Sequence, residues 1–444
     1  MIRSINSYCR SAVFGGLVFS IAVPFAGAQA GENVLWYFGG AKGHGTDAAG
    51  PVSALVTDQY GNMYGSSELG GTGCPGKRTV GCGTVFEIAA NGTESVLYSF
   101  TGSTDGGFPE ASVILDSSGN IYGTTTRGGA FNEGTVFEMS PQAGGGWTEQ
   151  VLYSFGTNAN DGSIPGDGLI MDSSGNLYGT TEQGGNLKSC LDQGCGTVFE
   201  IAPGGAETVL YRFKGTTDGW YPVGNLIADS SGNLYGTTEY AGNTGDCSGT
   251  GCGTIYELTT GGAKKTLYTF QGWTKSDGSQ PTAGLIFDAN GNLYGTTRGG
   301  GNGPGCYQGC GTVYELPSNG AGGFGSEEVL YQFQGWAVGG NIDGAFPWAA
   351  LLMDSSGDLF GTTQGGGERC GCGTVFELSP NGGSYNESVL FSFDRGTGIG
   401  TTGFSPENSL IEDQSGNLYG TTFSGGYRHS GVAFEITASP AQKQ

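Results

Sequence analysis

A carboxylate followed by glycine recurs along this chain in the frame D-G-x-x-P, at Asp105, Asp161, Asp218, Asp277 and Asp343. Asp47 stands in a related D-A-A-G-P, and a seventh copy, T-G-F-S-P, lacks the acid. Carboxylates brought to one place can hold a cation or a polar ligand. The plainer alternative is that each Asp caps its own loop and each Pro ends it. The same stretches carry Trp220, Trp273, Trp336 and Trp348, with Phe108, Tyr221, Phe346 and Phe404 nearby. Aromatic faces beside carboxylates stack on sugar rings while the acids take hydroxyl hydrogen bonds. Against that stands simple wedging of the rings between neighbouring units. The chain has two histidines, His44 and His429, flanked by Lys42 and Arg428. Brought together they would form a paired acid/base site; apart they are two loop histidines. There is no G-x-S-x-G elbow, P-loop or H-E-x-x-H helix, and no cofactor or metal is implied.

These residues belong to a unit written seven times. Each copy reads approximately V-L-Y-S-F, D-G-x-x-P, L-I-x-D-x-S-G-N-L-Y-G-T-T, then G-G and G-C-G-T-V-F-E. The central Asp falls at Asp58, Asp116, Asp172, Asp229, Asp288, Asp354 and Asp413, in steps of 58, 56, 57, 59, 66 and 59 residues. A sustained period of that size signals a repeat architecture. In the second copy the pattern predicts strands at 112–115, 121–125, 135–139 and 151–155. Each is rich in β-branched or aromatic residues and bounded by turn formers. The D-S-S-G-N between the first two reads as a hairpin turn capped by Asp116. A calcium loop is the other reading, but the alternating acids and distal Glu of an EF-hand are missing.

Four antiparallel strands on short loops make one propeller blade, with an open β-solenoid as the competitor. The chain ends favour the propeller. Val34–Phe38 is a lone fourth strand, and Gly431–Ile436 is a third strand with no fourth after it. Pairing them abolishes two exposed edges. The expectation is therefore an all-β, seven-bladed β-propeller over residues 31–444, four antiparallel strands per blade, closed by the N-terminal strand joining the last blade. In such a ring the loops from strand four to the next strand one share a face with those from strand two to strand three. Binding is expected there.

Residues 1–30 read as an export signal: Arg3 and Arg10, an apolar run from Ala12 to Phe25, and Ala28-Gln29-Ala30 as a small-x-small cleavage site. Its removal leaves 15 basic against 40 acidic residues. Such a balance repels phosphate backbones and anionic headgroups, which excludes nucleic acid as a partner. No later segment is apolar for long enough to insert in a membrane. Ten further cysteines come as neighbours between strands two and three: Cys74/Cys82, Cys190/Cys195, Cys247/Cys252, Cys306/Cys310 and Cys370/Cys372. The second and seventh copies lack both members. Presence or absence in pairs predicts five disulfides stiffening the loop tips, with half-sites for zinc as the alternative. Secretion or periplasmic residence follows from both signals.

The units L-I-x-D-x-S-G-N-L-Y-G-T-T and G-C-G-T-V-F-E resemble the GloVer tandem repeat of exported bacterial proteins. The resemblance covers nearly all of residues 34–436. It implies export and repetition but no activity and no catalytic residue. This chain departs from it in having no hydrophobic or sorting tail after its last strand. The functional expectation is a binding or scaffold module for an extracellular glycan or protein. The alternatives are an extracellular lyase or hydrolase at the channel mouth and a purely structural surface component.

Overall fold

The computed structural model describes residues 32–39, 47–72, 74, 81–242, 247, 249–320, 322–336, 343–368, 370–394, 402–426 and 429–437. Residues 1–30, which carry the expected export signal, lie outside them. The described chain forms seven antiparallel blade sheets arranged as a seven-bladed β-propeller, with two short two-stranded ladders, Gly162–Ser163 with Gln183–Gly184 and Gly278–Ser279 with Gly299–Gly300, beside them. Blades I to VII are numbered by the central Asp of each repeat. Blade II consists of Ile114–Leu115, Ile121–Thr125, Thr135–Pro141 and Trp147–Ser154, hydrogen-bonded in that spatial order. The outer hairpin is longer than the pattern predicts and the inner strand shorter.

Blade VII closes the ring. Glu32–Tyr37 pairs antiparallel with Val432–Ile436, with Val34 opposite Phe434. Phe38 continues the join by donating its N–H to the Gly431 carbonyl at 3.1 Å. Both would-be edges are thereby consumed, as the chain ends require.

The blades are held together by one aromatic contact repeated at every junction. The Phe ending each outer strand meets the aromatic residue of the next blade's third strand. Phe100 lies 5.1 Å from Phe137, Phe155 lies 5.0 Å from Phe199, and Phe38 lies 4.9 Å from Phe86 across the closure. These rings are fully buried, and such tilted or edge-to-face pairs add to their area burial. The third-strand ring lies across the glycine of Y-G-T-T. A Cβ on Gly123 would stand 2.6 Å from Phe137 Cζ, so no larger residue fits there. Stability thus accumulates by nearest-neighbour stacking, as in other repeat proteins.

The D-x-S-G-N segment is a structural turn. Asp116 Oδ1 accepts from the backbone N–H groups of Ser118 and Asn120 at 2.8 and 2.9 Å. Its Oδ2 accepts from Asn120 Nδ2 at 2.8 Å and from the Tyr122 hydroxyl at 3.3 Å. Burial pushes this carboxyl up, but the hydrogen bonds from Asn120 and Ser118 outweigh it and hold it below the usual range.

All five disulfides are formed, with Cα–Cα distances of 5.2 to 5.3 Å. They do more than stiffen loop tips. Cys82, Cys195, Cys252, Cys310 and Cys372 are buried within the clusters that fill the junctions. The cause is local: each stands two residues before its third strand and enters the core with it.

Candidate functional site at the channel mouth

A cavity of about 140 Å³ runs down the propeller axis. Its wall is built from residues one to three places after the proline of each such loop, so every blade contributes. Glu110 and Ser112 come from blade II, Asp167 from blade III, Asn225 from blade IV, Thr282 from blade V, Trp348 from blade VI and Glu407 from blade VII. The residue just before each proline has a left-handed backbone, with φ between 55° and 62° at Phe108, Ile164, Tyr221, Gln280, Phe346 and Ser405. Gly50 holds that position in blade I at φ 59°. A non-glycine residue in this conformation is uncommon, and six at equivalent positions mark a bulge that the fold imposes. It sets the direction in which the chain enters the channel.

A second ring comes from the residue after each G-T-T (or G-S-S in blade I): Glu68, Thr126, Glu182, Glu239, Arg298, Gln364 and Phe423. These side chains reach the proline-flanking residues. Tyr221 donates its hydroxyl to Glu182 Oε2 across the junction of blades III and IV. Gln280 Nε2 donates to Glu239 Oε1 at 3.2 Å, and Gln364 Nε2 to Glu407 Oε1 at 2.6 Å. Thr126 Oγ1 donates to Glu110 Oε1 at 3.2 Å. The Arg298 guanidinium sits 4.6 Å from the centre of the Trp348 ring, a cation–π contact.

Crowding acids in a concave site raises their pKa values, because desolvation and like charges both disfavour ionisation. Burial pushes Glu182 up to about 8; the Tyr221 hydrogen bond opposes this, while Asp167, Glu110 and Glu239 add to it. Burial and then the Glu68 charge push Glu110 up to about 7. Asp167 is raised to about 6 by burial, although Gly224 N–H and Thr180 Oγ1 donate to it at 2.7 and 3.1 Å. Glu239 and Glu407 are also raised by burial, with Arg298 pulling both back. Carboxylic acids held neutral near physiological pH are proton donors.

The residues singled out from sequence occupy three different places. Asp105, Asp161, Asp218, Asp277 and Asp343 do not line the channel. Each accepts hydrogen bonds from its own loop and from the tyrosine of the preceding outer strand. Asp161 takes Tyr153 OH and the N–H groups of Gly156 and Thr157, all at 2.9 Å. Asp343 takes Tyr331 OH at 3.1 Å and the N–H groups of Gln334 and Gly344 at 2.6 Å. Asp105, Asp218 and Asp277 are engaged in the same way by Tyr98, Tyr211 and Tyr268. Trp348 stands on the channel wall. Trp336 and Trp273 are about 44 % and 43 % exposed on the loop face, and Trp220 packs on Tyr240 at 5.4 Å. His429 lies 6.4 Å from the Phe404 ring; His44, its expected partner, lies outside the described residues.

Sequence reasoning missed the two mouth rings. The signal was present: the seven copies agree on the proline, on a leucine four residues on (valine at Val113 in the second) and on the first strand-two threonine or serine. They diverge at the residue after each proline and the residue after each G-T-T.

The Gloeobacter/Verrucomicrobia repeat model matches residues 11–250 and 244–444. The chain belongs to this repeat family. No curated protein matches this Gloeobacter/Verrucomicrobia repeat chain. Among solved structures it is similar to an oligogalacturonate lyase from Vibrio parahaemolyticus, at 9 % identity and a TM-score of 0.55. That match covers 94 % of this chain and 96 % of the lyase. It is also similar to a protein described as the extracellular domain of a hybrid two-component system from B. thetaiotaomicron, at 11 % identity and a TM-score of 0.51. That match covers 91 % of this chain but 40 % of the other. At such identities the likeness is one of fold. Among the described residues, no helix is long and apolar enough to cross a membrane.

Proposed function

We propose that this protein is an exported β-propeller that binds an extracellular glycan at the channel mouth on its disulfide-bearing face. One observation carries the reading. Seven copies share a backbone and a core, yet the mouth contacts change from junction to junction: Glu182 with Tyr221, Glu239 with Gln280, Arg298 with Trp348, Gln364 with Glu407. The buried positions of the same strands repeat throughout, and the fold itself does not call for this variety at the mouth. The mixture of a π face, acids, amides and hydroxyls suits a polyhydroxylated ligand. Five disulfides and the signal-like residues 1–30 support an oxidising compartment outside the cytoplasm.

A second reading, a glycan hydrolase or lyase, has its own support. Burial raises Glu182 to about 8 and Glu110 to about 7 at one mouth, the range in which a general acid works near neutrality. The similarity in fold to an oligogalacturonate lyase agrees with it, although an acidic mouth opposes a uronate substrate.

A glycan array followed by calorimetry tests the proposal. Trp348→Ala is expected to weaken binding at least about tenfold. A hit unaffected by both Trp348→Ala and Arg298→Ala would remove the mouth as the site. Turnover of the bound glycan, lost in Glu182→Gln, would establish the second reading.

A further inference from the structure

Blade VI alone has an aromatic residue at three successive positions leading inward across the loop face. The residue after F-x-G is Trp336, the residue before the proline is Phe346, and the residue after it is Trp348. Blade V, the nearest comparison, has Trp273, Gln280 and Thr282 there. Trp336 is about 44 % exposed and meets Phe346 edge-on at 5.7 Å. It lies over backbone that only glycine allows, since a Cβ on Gly371 would stand 2.1 Å from its Nε1. Tyr307, 91 % exposed, is carried on the Cys306–Cys310 loop, whose Gly305 abuts Trp336. The track ends at Trp348, on the channel wall.

At that end the mouth is acidic. Glu68, Glu110, Asp167, Glu182, Glu239 and Glu407 belong to it, and the cations beside them are Arg298 and Arg127. The Arg298 guanidinium is already engaged with Trp348. Among the described residues no three such acids converge on one point as a metal site would need; they are spread around a ring. Thr282, 8 % exposed, lines the same channel with its Oγ1 lacking any hydrogen-bond partner. A buried hydroxyl left unpaired is costly unless a ligand meets it. A dispersed ring of acids, an unpaired hydroxyl and an aromatic track together suit a chain of sugar rings with several positive charges.

We propose that the ligand is a glycan bearing free amino groups, its sugar rings lying along Trp336 and Phe346 to Trp348 and its ammonium groups facing the mouth carboxylates. This rests on the glycan-binding reading above. An ammonium group entering the mouth draws the proton off a neighbouring carboxyl and pairs with the carboxylate so formed. A uronate brings no such counter-charge, and N-acetylated sugars satisfy the π faces but leave the acids unpaired.

The test is calorimetry on the full mature chain at pH 6 with glucosamine hexamer, N-acetylglucosamine hexamer and galacturonate hexamer. The glucosamine hexamer is expected to bind at least about tenfold more tightly than its acetylated form, with galacturonate weakest. Trp336→Ala is expected to weaken the hexamer by about tenfold while leaving the glucosamine dimer unchanged, because only the longer chain reaches the rim. An unchanged melting temperature of that variant excludes misfolding as the cause. Equal or tighter binding of the acetylated or galacturonate hexamer overturns the proposal, as does a hexamer indifferent to Trp336→Ala. If an acetylated hexamer binds equally well in a Trp348-dependent manner, glycan binding stands and the amino-sugar assignment fails. Failure of an array of unrelated glycans as well as all three hexamers removes both.

Discussion

The Lys264 ammonium lies 3.4 Å from Asp218 Oδ1, at the position where the other six repeats place a glutamate. Counted back six residues from the outer-strand Phe, those glutamates are Glu32, Glu94, Glu149, Glu207, Glu327 and Glu387. At five of the seven junctions an outer-strand Tyr, the Asp of the Asp-Gly loop and this side chain come together. The Tyr98 hydroxyl, for example, donates to Asp105 Oδ2 at 3.2 Å and to Glu149 Oε2 at 3.5 Å. Blade IV solves the junction with a cation. Five of the others press two carboxyls together, Glu32 facing the loop in which Thr402 replaces the acid, and Oε1 of Glu149, Glu207, Glu327 and Glu387 has no hydrogen-bond partner. Two adjacent carboxyls out of water cannot both ionise cheaply, so one keeps its proton.

This gives the molecule an unusual pH response. Burial first, and then the neighbouring Asp47, Asp277 or Asp343, raises Glu94, Glu327 and Glu387 to about 8. Glu149 and Glu207 reach about 7 by burial and by Asp105 or Asp161, with Arg212 opposing at Glu207. A pKa raised on folding means the native state holds more protons than the unfolded chain. The stabilisation is complete below the unfolded value and is lost as pH rises through the folded one. Melting temperature is therefore expected to fall between about pH 5 and pH 8.5. The turn carboxyls Asp58, Asp116, Asp172, Asp229 and Asp413, where hydrogen bonds from the turn outweigh burial, oppose this only at lower pH. A flat or rising melting curve across that interval in differential scanning fluorimetry contradicts the junction argument.

Exchange of junction chemistry between blades is a sharper check. Lys264→Glu places a carboxyl beside Asp218, where the lysine side chain is 3 % exposed. Loss of a buried pair's partner costs about 3 kcal/mol, and the penalty should be larger at pH 8 than at pH 5. Glu327→Gln works the other way: it should stabilise at pH 8.5 and leave stability at pH 5 nearly unchanged. Denaturant unfolding at the two pH values reads both.

Two core hydroxyls offer a third expectation. Blades IV and V have Tyr256 and Tyr314 where the other five copies have Phe. Both rings are fully buried and neither hydroxyl has a hydrogen-bond partner. Tyr256→Phe and Tyr314→Phe should each stabilise by about 1 kcal/mol, since an unmet polar group is removed from the core. A midpoint shift toward instability in urea would mean that the hydroxyls are satisfied in solution.

Much of the scaffold was legible because seven copies of one pattern average out local ambiguity. The pairing of Val34–Phe38 with Gly431–Ile436 was readable for a further reason: each end lacked the strand that the other supplied. The site was harder. Asp161 and its equivalents recur faithfully, and recurrence is the mark of a structural duty; they cap loops and tie junctions. Residues of the mouth rings, such as Glu182 and Arg298, are those the repeat does not fix, so a consensus hides them. Their partners, Tyr221 and Trp348, lie 39 and 50 positions further along, a proximity that only the stacking of blades creates. The disulfides were found in the right pairs but with half of each buried, because their loops dip into the junctions rather than standing clear.

Asn33 and Glu435 share a hydrogen bond at 3.2 Å although 402 positions separate them along the chain. Every other blade ladder, and each of the five disulfides, joins residues of a single repeat. The circle thus depends on one long-range ladder, and loss of either of its strands leaves the other as an open edge.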